Sequence, residues 1–327
     1  MKSGGLFRFV EQKTFAFGDT LSFDMPRGFD LDTILVEVTG SLTITTAPTT
    51  YHANSAARLI DRLELFSDGS TKLTEASGIM KSLGLFERGM KRSITNPGAS
   101  ATGTVPVKAY YVLDRINADG LRPKDSSLHT QAPFMSKLTM EVKTASSINE
   151  LVLTAGSFNG ALNSITVKVY VAQTREFTAA GLAEGRMVKN ESLIVETIDS
   201  TTTNHRVKLA TGMMLRGCQI YALDDSGVLD NTIINNIQIK SGSDVPYSFD
   251  GATVETINKL SYDISDNQWL DGFYFADLTP MGNLNKLYDA RGASELDLIL
   301  DVTKPSGGDG TVVIVPQQFI QQAPLQS

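Results

Sequence analysis

The sequence has a single cysteine, Cys218, among 327 residues, so no disulfide can form within the chain. It has only three histidines, His52, His129 and His205, far apart and each in a polar loop or at a strand start. No Cys/His set at zinc spacing exists. Cys218 lies in Leu215-Arg216-Gly217-Cys218-Gln219-Ile220-Tyr221 and reads as a small hydrophobe buried in a strand. Lack of disulfides fits assembly in a reducing cytoplasm. Positive charge is also short: 29 Lys and Arg against 36 Asp and Glu give a net charge of −7. No specific nucleic-acid binding is expected on that balance. The one tight basic cluster, Arg88, Lys91 and Arg92, reads as a solvated helix end. No apolar run approaches the roughly 20 residues of a membrane span, and Met1 to Arg8 lacks a signal-peptide pattern. A soluble protein is expected.

What is present is alternation. Leu138, Met140 and Val142 point one way while Thr139, Glu141 and Lys143 point the other, and Val167, Val169 and Val171 repeat the design. Strict period two over such lengths marks strands with one buried and one wet face, as in antiparallel sandwiches. Ile34–Val38 and Leu42–Thr45 add β-branched runs with a bulge expected at Gly40. Hydrophobic residues at 41% and charged residues at 20% are ordinary for a globular protein, and the length suits about two domains of roughly 150 residues. Counting about eight strand candidates per half predicts an all-β protein of two tandem eight-stranded jelly-roll sandwiches, with a short flanking helix in each. The boundaries read as an N-terminal arm at 1–12, a first jelly roll at 13–177, a linker at 178–190, a second jelly roll at 191–318 and a tail at 319–327.

A repeat supports the division. At an offset of 174 residues, Ile60, Leu63, Leu65 and Ser67 fall on Ile234, Ile237, Ile239 and Ser241. The same offset carries Met80, Leu83 and Phe86 onto Val254, Ile257 and Leu260. Each copy reads as a strand, a tight turn (Asp68-Gly69 in the first, with a bend near Asp61) and an amphipathic helix starting near Glu75 with Ile79, Met80, Leu83 and Phe86 on one face.

Chemistry is sparse. No serine has a nucleophile elbow, and Gly307-Gly308-Asp309-Gly310 lacks the Lys-Ser/Thr of a phosphate loop and reads as a turn. Asp224, Asp225 and Asp230 offer oxygen ligands to a metal ion, without EF-hand spacing. Asp263, Asp266 and Asp271 surround Trp269, which with Tyr274 is the pair of aromatics that a sugar-binding groove would use. Nothing here would carry an enzyme, and no cofactor is expected.

In order and pattern the chain resembles the double jelly-roll major capsid proteins of tailless, membrane-containing bacteriophages and their relatives in the adenovirus lineage. The resemblance rests on Ile60-Asp61-Arg62-Leu63-Glu64-Leu65 before Asp68-Gly69, on Leu121-Arg122-Pro123-Lys124-Asp125 leading to Ser136–Val142, and on Ile234–Ile239 with Ser294–Leu298. It implies a homotrimer with a pseudo-hexameric outline, tiling an icosahedral shell around a lipid membrane and genome, with neighbouring capsomers and penton or vertex proteins as partners. It also suggests an inner-face role for Lys2, Leu6, Phe7, Arg8 and Phe9, a mixed basic and apolar set suited to anionic lipid, membrane proteins or a neighbouring capsomer. The competing expectation is a non-viral two-sandwich carbohydrate-binding protein.

Overall fold

A computed structural model describes residues 6–84, 94–115, 128–130, 135–174, 186–264, 270–279 and 287–322. The first half contributes β1 (Leu6–Thr14), β2 (Thr20–Asp24), β3 (Asp30–Thr46), β4 (Thr50–Tyr51), β5 (Ile60–Ser67), β6 (Thr71–Ser77), β7 (Gly103–Asp114), β8 (Leu128–His129), β9 (Leu138–Thr144), β10 (Val152–Thr154) and β11 (Asn159–Thr174). Helix α1 (Gly78–Leu83) follows β6. The second half contributes β12 (Arg186–Glu191), β13 (Ile194–Ile198), β14 (Thr202–Lys208), β15 (Met214–Leu223), β16 (Ile234–Ser241), β17 (Asp244–Asp250), β18 (Phe273–Asp277), β19 (Tyr288–Asp289), β20 (Asp297–Val302) and β21 (Gly310–Gln322). Helix α2 (Gly251–Tyr262) follows β17.

These strands build two jelly rolls. In the first, the sheet β1-β11-β3-β7 faces β6-β5-β9-β2; in the second, the sheet β13-β21-β15-β18 faces β17-β16-β20-β14. The alternating residues fill the cores as their period requires. Val167, Val169, Val171, Leu138, Met140 and Val142 are buried in the first core, and Leu298, Leu300, Ile237 and Ile239 in the second. Each such side chain contributes about 1.5–3 kcal/mol by leaving water.

The duplication is followed strand by strand. The pairs Asp30–Thr174 and Leu31–Gln173 precede a register shift at Asp32, and Met214–Phe319 and Leu215–Gln318 precede one at Arg216. The buried tyrosines Tyr111 and Tyr274 sit opposite Val36 and Ile220 in corresponding pairs. Both helices begin at a glycine pressed on the first residue of the preceding hairpin. A Cβ on Gly78 would lie 2.0 Å from the Ile60 carbonyl oxygen, and one on Gly251 2.7 Å from that of Ile234.

Several expectations need correcting. Between the turn at Asp68 (φ 54°) and Gly69 (φ 79°) and helix α1 lies a whole strand, β6, so Glu75 is extended rather than helical. Its polar outer residues Lys72 and Glu75 pair with Glu64 and Arg62 of β5, and this ion network hides the strand signal. The second hairpin turn is one residue shorter: Ser67 pairs with Thr71, but Ser241 pairs with Asp244. The repeat therefore holds at 174 on β5 and β16 and slips to 173 beyond the turn, where Ala76 matches Phe249 and Gly78 matches Gly251. The pairing of Met80 and Leu83 with Val254 and Ile257 is one residue out; Phe86 lies outside the described residues. The expected bulge near Gly40 sits on the facing strand, between Leu162 and Ser164.

The inter-domain boundaries also fall inside strands. The arm at 1–12 contains most of β1, which pairs with β11 from Leu6–Gln173 to Thr14–Thr166. The linker at 178–190 contains most of β12, and the tail at 319–327 begins within β21, where Phe319 is 1% exposed.

Candidate functional site at the seam between the barrels

Strand β12 joins the two barrels. It pairs antiparallel with β21 from Arg186–Gln322 to Glu191–Gln317, and at Glu191 it meets Thr74 of β6 in parallel. Through that pair the sheet β6-β5-β9-β2 of the first barrel continues into β21-β15-β18 of the second, ten strands in all. The join is head to tail: unlike sheets of the two barrels meet.

Glu191 is the electrostatic centre of the seam. Its Oε1 accepts Lys81 Nζ at 2.8 Å and lies 3.0 Å from Lys189 Nζ, and all three side chains are at most 6% exposed. Burial alone would raise its pKa, but Lys189, Lys81 and Arg115 outweigh that and hold it at about 2. Arg115, 1% exposed, donates to Thr74 Oγ1 at 2.6 Å and to the Lys189 carbonyl oxygen. Burial lowers its pKa to about 10, and the Glu191 charge opposes that fall. Breaking one partner of such a buried set strands the others in low dielectric.

Around this centre the contact is apolar. Ala76, Ile79 and Met80 of the first barrel pack with Leu193, Tyr221, Phe273, Val313 and Val315 of the second. Two polar contacts cross the same face. Ser77 Oγ and Tyr221 Oη are 2.8 Å apart, and Arg58 donates to the Gly227 carbonyl oxygen. A cavity of about 150 Å³ remains where His52, Arg58 and Ile79 face Leu229, Leu270 and Asp271. Desolvation, helped by the Arg58 charge, lowers the pKa of His52 to about 4, so its imidazole is neutral at pH 7. The seam joins the two barrels through this buried charge cluster and its apolar surround.

Of the residues singled out from sequence as candidates for chemistry, His52 and Asp271 line the seam cavity and the others are not gathered there. Asp224 Oδ1 accepts from the Ser226 and Val228 amides, and Asp230 Oδ1 accepts from Thr232 N and Oγ1 at 2.7 Å. Asp225 packs against Gly307 and Gly308. Among the described residues no three His, Cys, Asp or Glu side chains converge on a common point. Tyr274 is 1% exposed and donates to the Asn231 carbonyl oxygen, so it cannot line a sugar groove; Trp269 and Asp266 lie outside the described residues. His205 sits in β14, 3.3 Å from Glu196. Cys218 is fully buried in β15, and burial pushes its thiol up to about 12. Of the N-terminal set, Lys2 and the side chains of Leu6 and Phe7 lie outside the described residues; Arg8 and Phe9 are exposed on β1, with the Phe9 ring 5.7 Å from that of Tyr170. Sequence reading missed the seam residues Lys81, Arg115, Lys189 and Glu191. The signal that could have found them is the alternation Lys189-Asn190-Glu191 beside a buried run in β21.

No family model and no curated protein matches the sequence. Solved structures do match over nearly its whole length. The STIV (Sulfolobus Turreted Icosahedral Virus) MCP is 14% identical with a TM-score of 0.74, covering 96% of each chain. VP54 of PBCV-1 is 12% identical with a TM-score of 0.64, covering 97% of this chain and 94% of its own. The major capsid protein of bacteriophage PM2 is 11% identical with a TM-score of 0.60, covering 96% and 98%. At these identities the chain shares with them its fold, the double jelly roll.

Proposed function

We propose that this chain is the major capsid protein of an icosahedral virus, a structural rather than an enzymatic component of the virion. The observation that carries the reading is the end-to-end match, in both directions, with capsid proteins built of two jelly rolls. A rigid seam supports it. Two similar barrels fused at a fixed angle are one third of a near-hexagonal tile, and three chains would supply six barrels around a threefold axis. Such homotrimeric capsomers, with neighbouring capsomers and vertex proteins, would close a shell over a membrane and genome. Obligate interfaces of this kind bury about 2,000–5,000 Å², and many such contacts add up to a shell that comes apart slowly. Leu6, Phe7, Arg8 and Phe9 at the start of the edge strand β1, with Lys2 preceding them in the sequence, belong in this reading to contacts outside the chain.

Mass in solution tests the proposal. Sedimentation equilibrium of the purified chain should give three times 35.4 kDa; a monomer at micromolar concentration would overturn it. The carbohydrate-binding reading predicts a monomer that binds glycans through exposed aromatics, and the burial of Tyr274 removes one of its two candidates.

A further inference from the structure

The seam inside the chain is a contact made once, and the fold carries both of its halves twice. In the first barrel, β6 and α1 are covered by the second barrel. Their counterparts in the second barrel, β17 and α2, are covered by nothing among the described residues. By register Ala76, buried at the seam, corresponds to Phe249, which is 40% exposed. Ile79 and Leu83, one turn apart on α1, correspond to Ala252 and Thr256, and the next position on that face of α2 is Leu260, 79% exposed. A large apolar residue at that exposure on a helix face needs a reason.

The receiving half is also duplicated. At the seam it includes Leu193, Tyr221, Val313, Val315 and Phe273, with the backbone of Glu191 alongside; Tyr221 and Val313 correspond to the charged Glu37 and Lys168. Matching pairs along β11 and β21, and along β7 and β18, place Tyr170 where Val315 stands and Tyr110 where Phe273 stands. On the edge strand, Phe9 pairs with Tyr170 and takes the place of Leu193; Phe7 pairs with Ala172 as Glu191 pairs with Gln317. Phe9 is 51% exposed although its counterpart is partly buried.

The outer edge of β18 is closed by a side chain. Asn258 on α2 uses its amide to pair with the backbone of Phe275, donating to the carbonyl oxygen and accepting from the amide, both at 2.8 Å, which blunts the outer edge of β18.

We propose that the partner of both uncovered faces is a second copy of this chain: the strip Phe249, Ala252, Thr256 and Leu260 of one copy docks on Phe9, Tyr170 and Tyr110 of the next, repeating between chains the seam within the chain. Strand β17 of one copy then lies beside β1 of the next, near Phe7, as β6 lies beside β12 near Glu191. A head-to-tail contact closes into a ring when its rotation is a whole fraction of a turn, and six barrels from three chains is the closure that the capsid reading requires, on which this inference rests. Aromatic and charged residues replace some aliphatic ones of the internal seam. The contact between chains is therefore the more polar of the two, as suits a surface that must stay soluble before assembly.

The test uses two full-length variants, each altering only exposed side chains. Phe249→Ser with Leu260→Glu spoils the strip, and Phe9→Glu spoils the platform. Sedimentation velocity should show each variant as a monomer with unchanged circular dichroism, association being weakened about 30-fold or more, as for loss of a hot spot. Mixed in equal amounts they should form a two-chain species and stop there, because one intact strip still faces one intact platform. If the wild-type chain is trimeric and either variant remains trimeric, or if two monomeric variants fail to pair on mixing, the docking is wrong and the capsid reading stands. A monomeric wild-type chain would overturn both.

Discussion

Replacing Glu191 by Gln keeps shape and removes one charge from the seam. The amide would still face Lys81, Lys189 and Arg115, three buried cations that the Glu191 carboxylate holds together. Removing one partner of a buried ion pair costs about 3–5 kcal/mol. The depressed pKa gives a second route to the magnitude: a fall from 4.5 to about 2 corresponds to about 3 kcal/mol of preference for the charged form in the folded state. With a urea slope of about 2–3 kcal/mol/M, the midpoint should drop by about 1 M at pH 7 and fixed protein concentration. The pH dependence is more diagnostic. Because the folded-state pKa is lowered, the stabilisation is complete above the unfolded value of 4.5 and fades as pH falls towards about 2. The gap between wild type and Glu191→Gln should therefore be constant from pH 8 to 5 and roughly halved by pH 3. A gap under about 0.2 M at pH 7, or one that persists undiminished at pH 3, would refute the assignment of Glu191 as the charge that locks the barrels together.

Three further outcomes follow from the same geometry. Tyr221→Phe, which removes the 2.8 Å contact with Ser77 across the seam, should lose about 1 kcal/mol in urea unfolding. Gly78→Ala should destabilise by about 2 kcal/mol or more and Gly251→Ala by less, since the added Cβ would lie 2.0 Å and 2.7 Å from backbone oxygen respectively; equal losses would contradict the close approach. Cys218, fully buried with its thiol pushed up to about 12, should resist a thiol reagent at pH 8 for hours in the folded protein and react at once in urea.

Much of the architecture is legible in the sequence because one-sided burial writes period two into the chain. The strands β9, β11 and β20 are of that kind, and the doubled β5 and β16 follow it in part. What the sequence conceals has a common cause, polar residues that pair with one another. Strand β12 reads Arg-Met-Val-Lys-Asn-Glu, and its two charged core positions are intelligible only once Lys81 and Arg115 arrive from the other barrel. Strand β6 is masked by Lys72 and Glu75, whose partners Glu64 and Arg62 come from the neighbouring strand. The helical spacing of Ile79 and Leu83 is real, yet the helix begins three residues after Glu75, because Gly78 is needed where the Ile60 carbonyl passes. A repeat read at constant offset cannot reveal a one-residue change in turn length; pairing does. The seam is formed by residues of both barrels that no continuous run of sequence links.

The shape of the assembled particle addresses the central claim most directly. Class averages of the purified full-length chain by electron microscopy should show a flat tile of six lobes around a threefold axis, each chain contributing two adjacent lobes held by its internal seam. Isolated two-lobed particles, or an oligomer without that pseudo-sixfold outline, would contradict it.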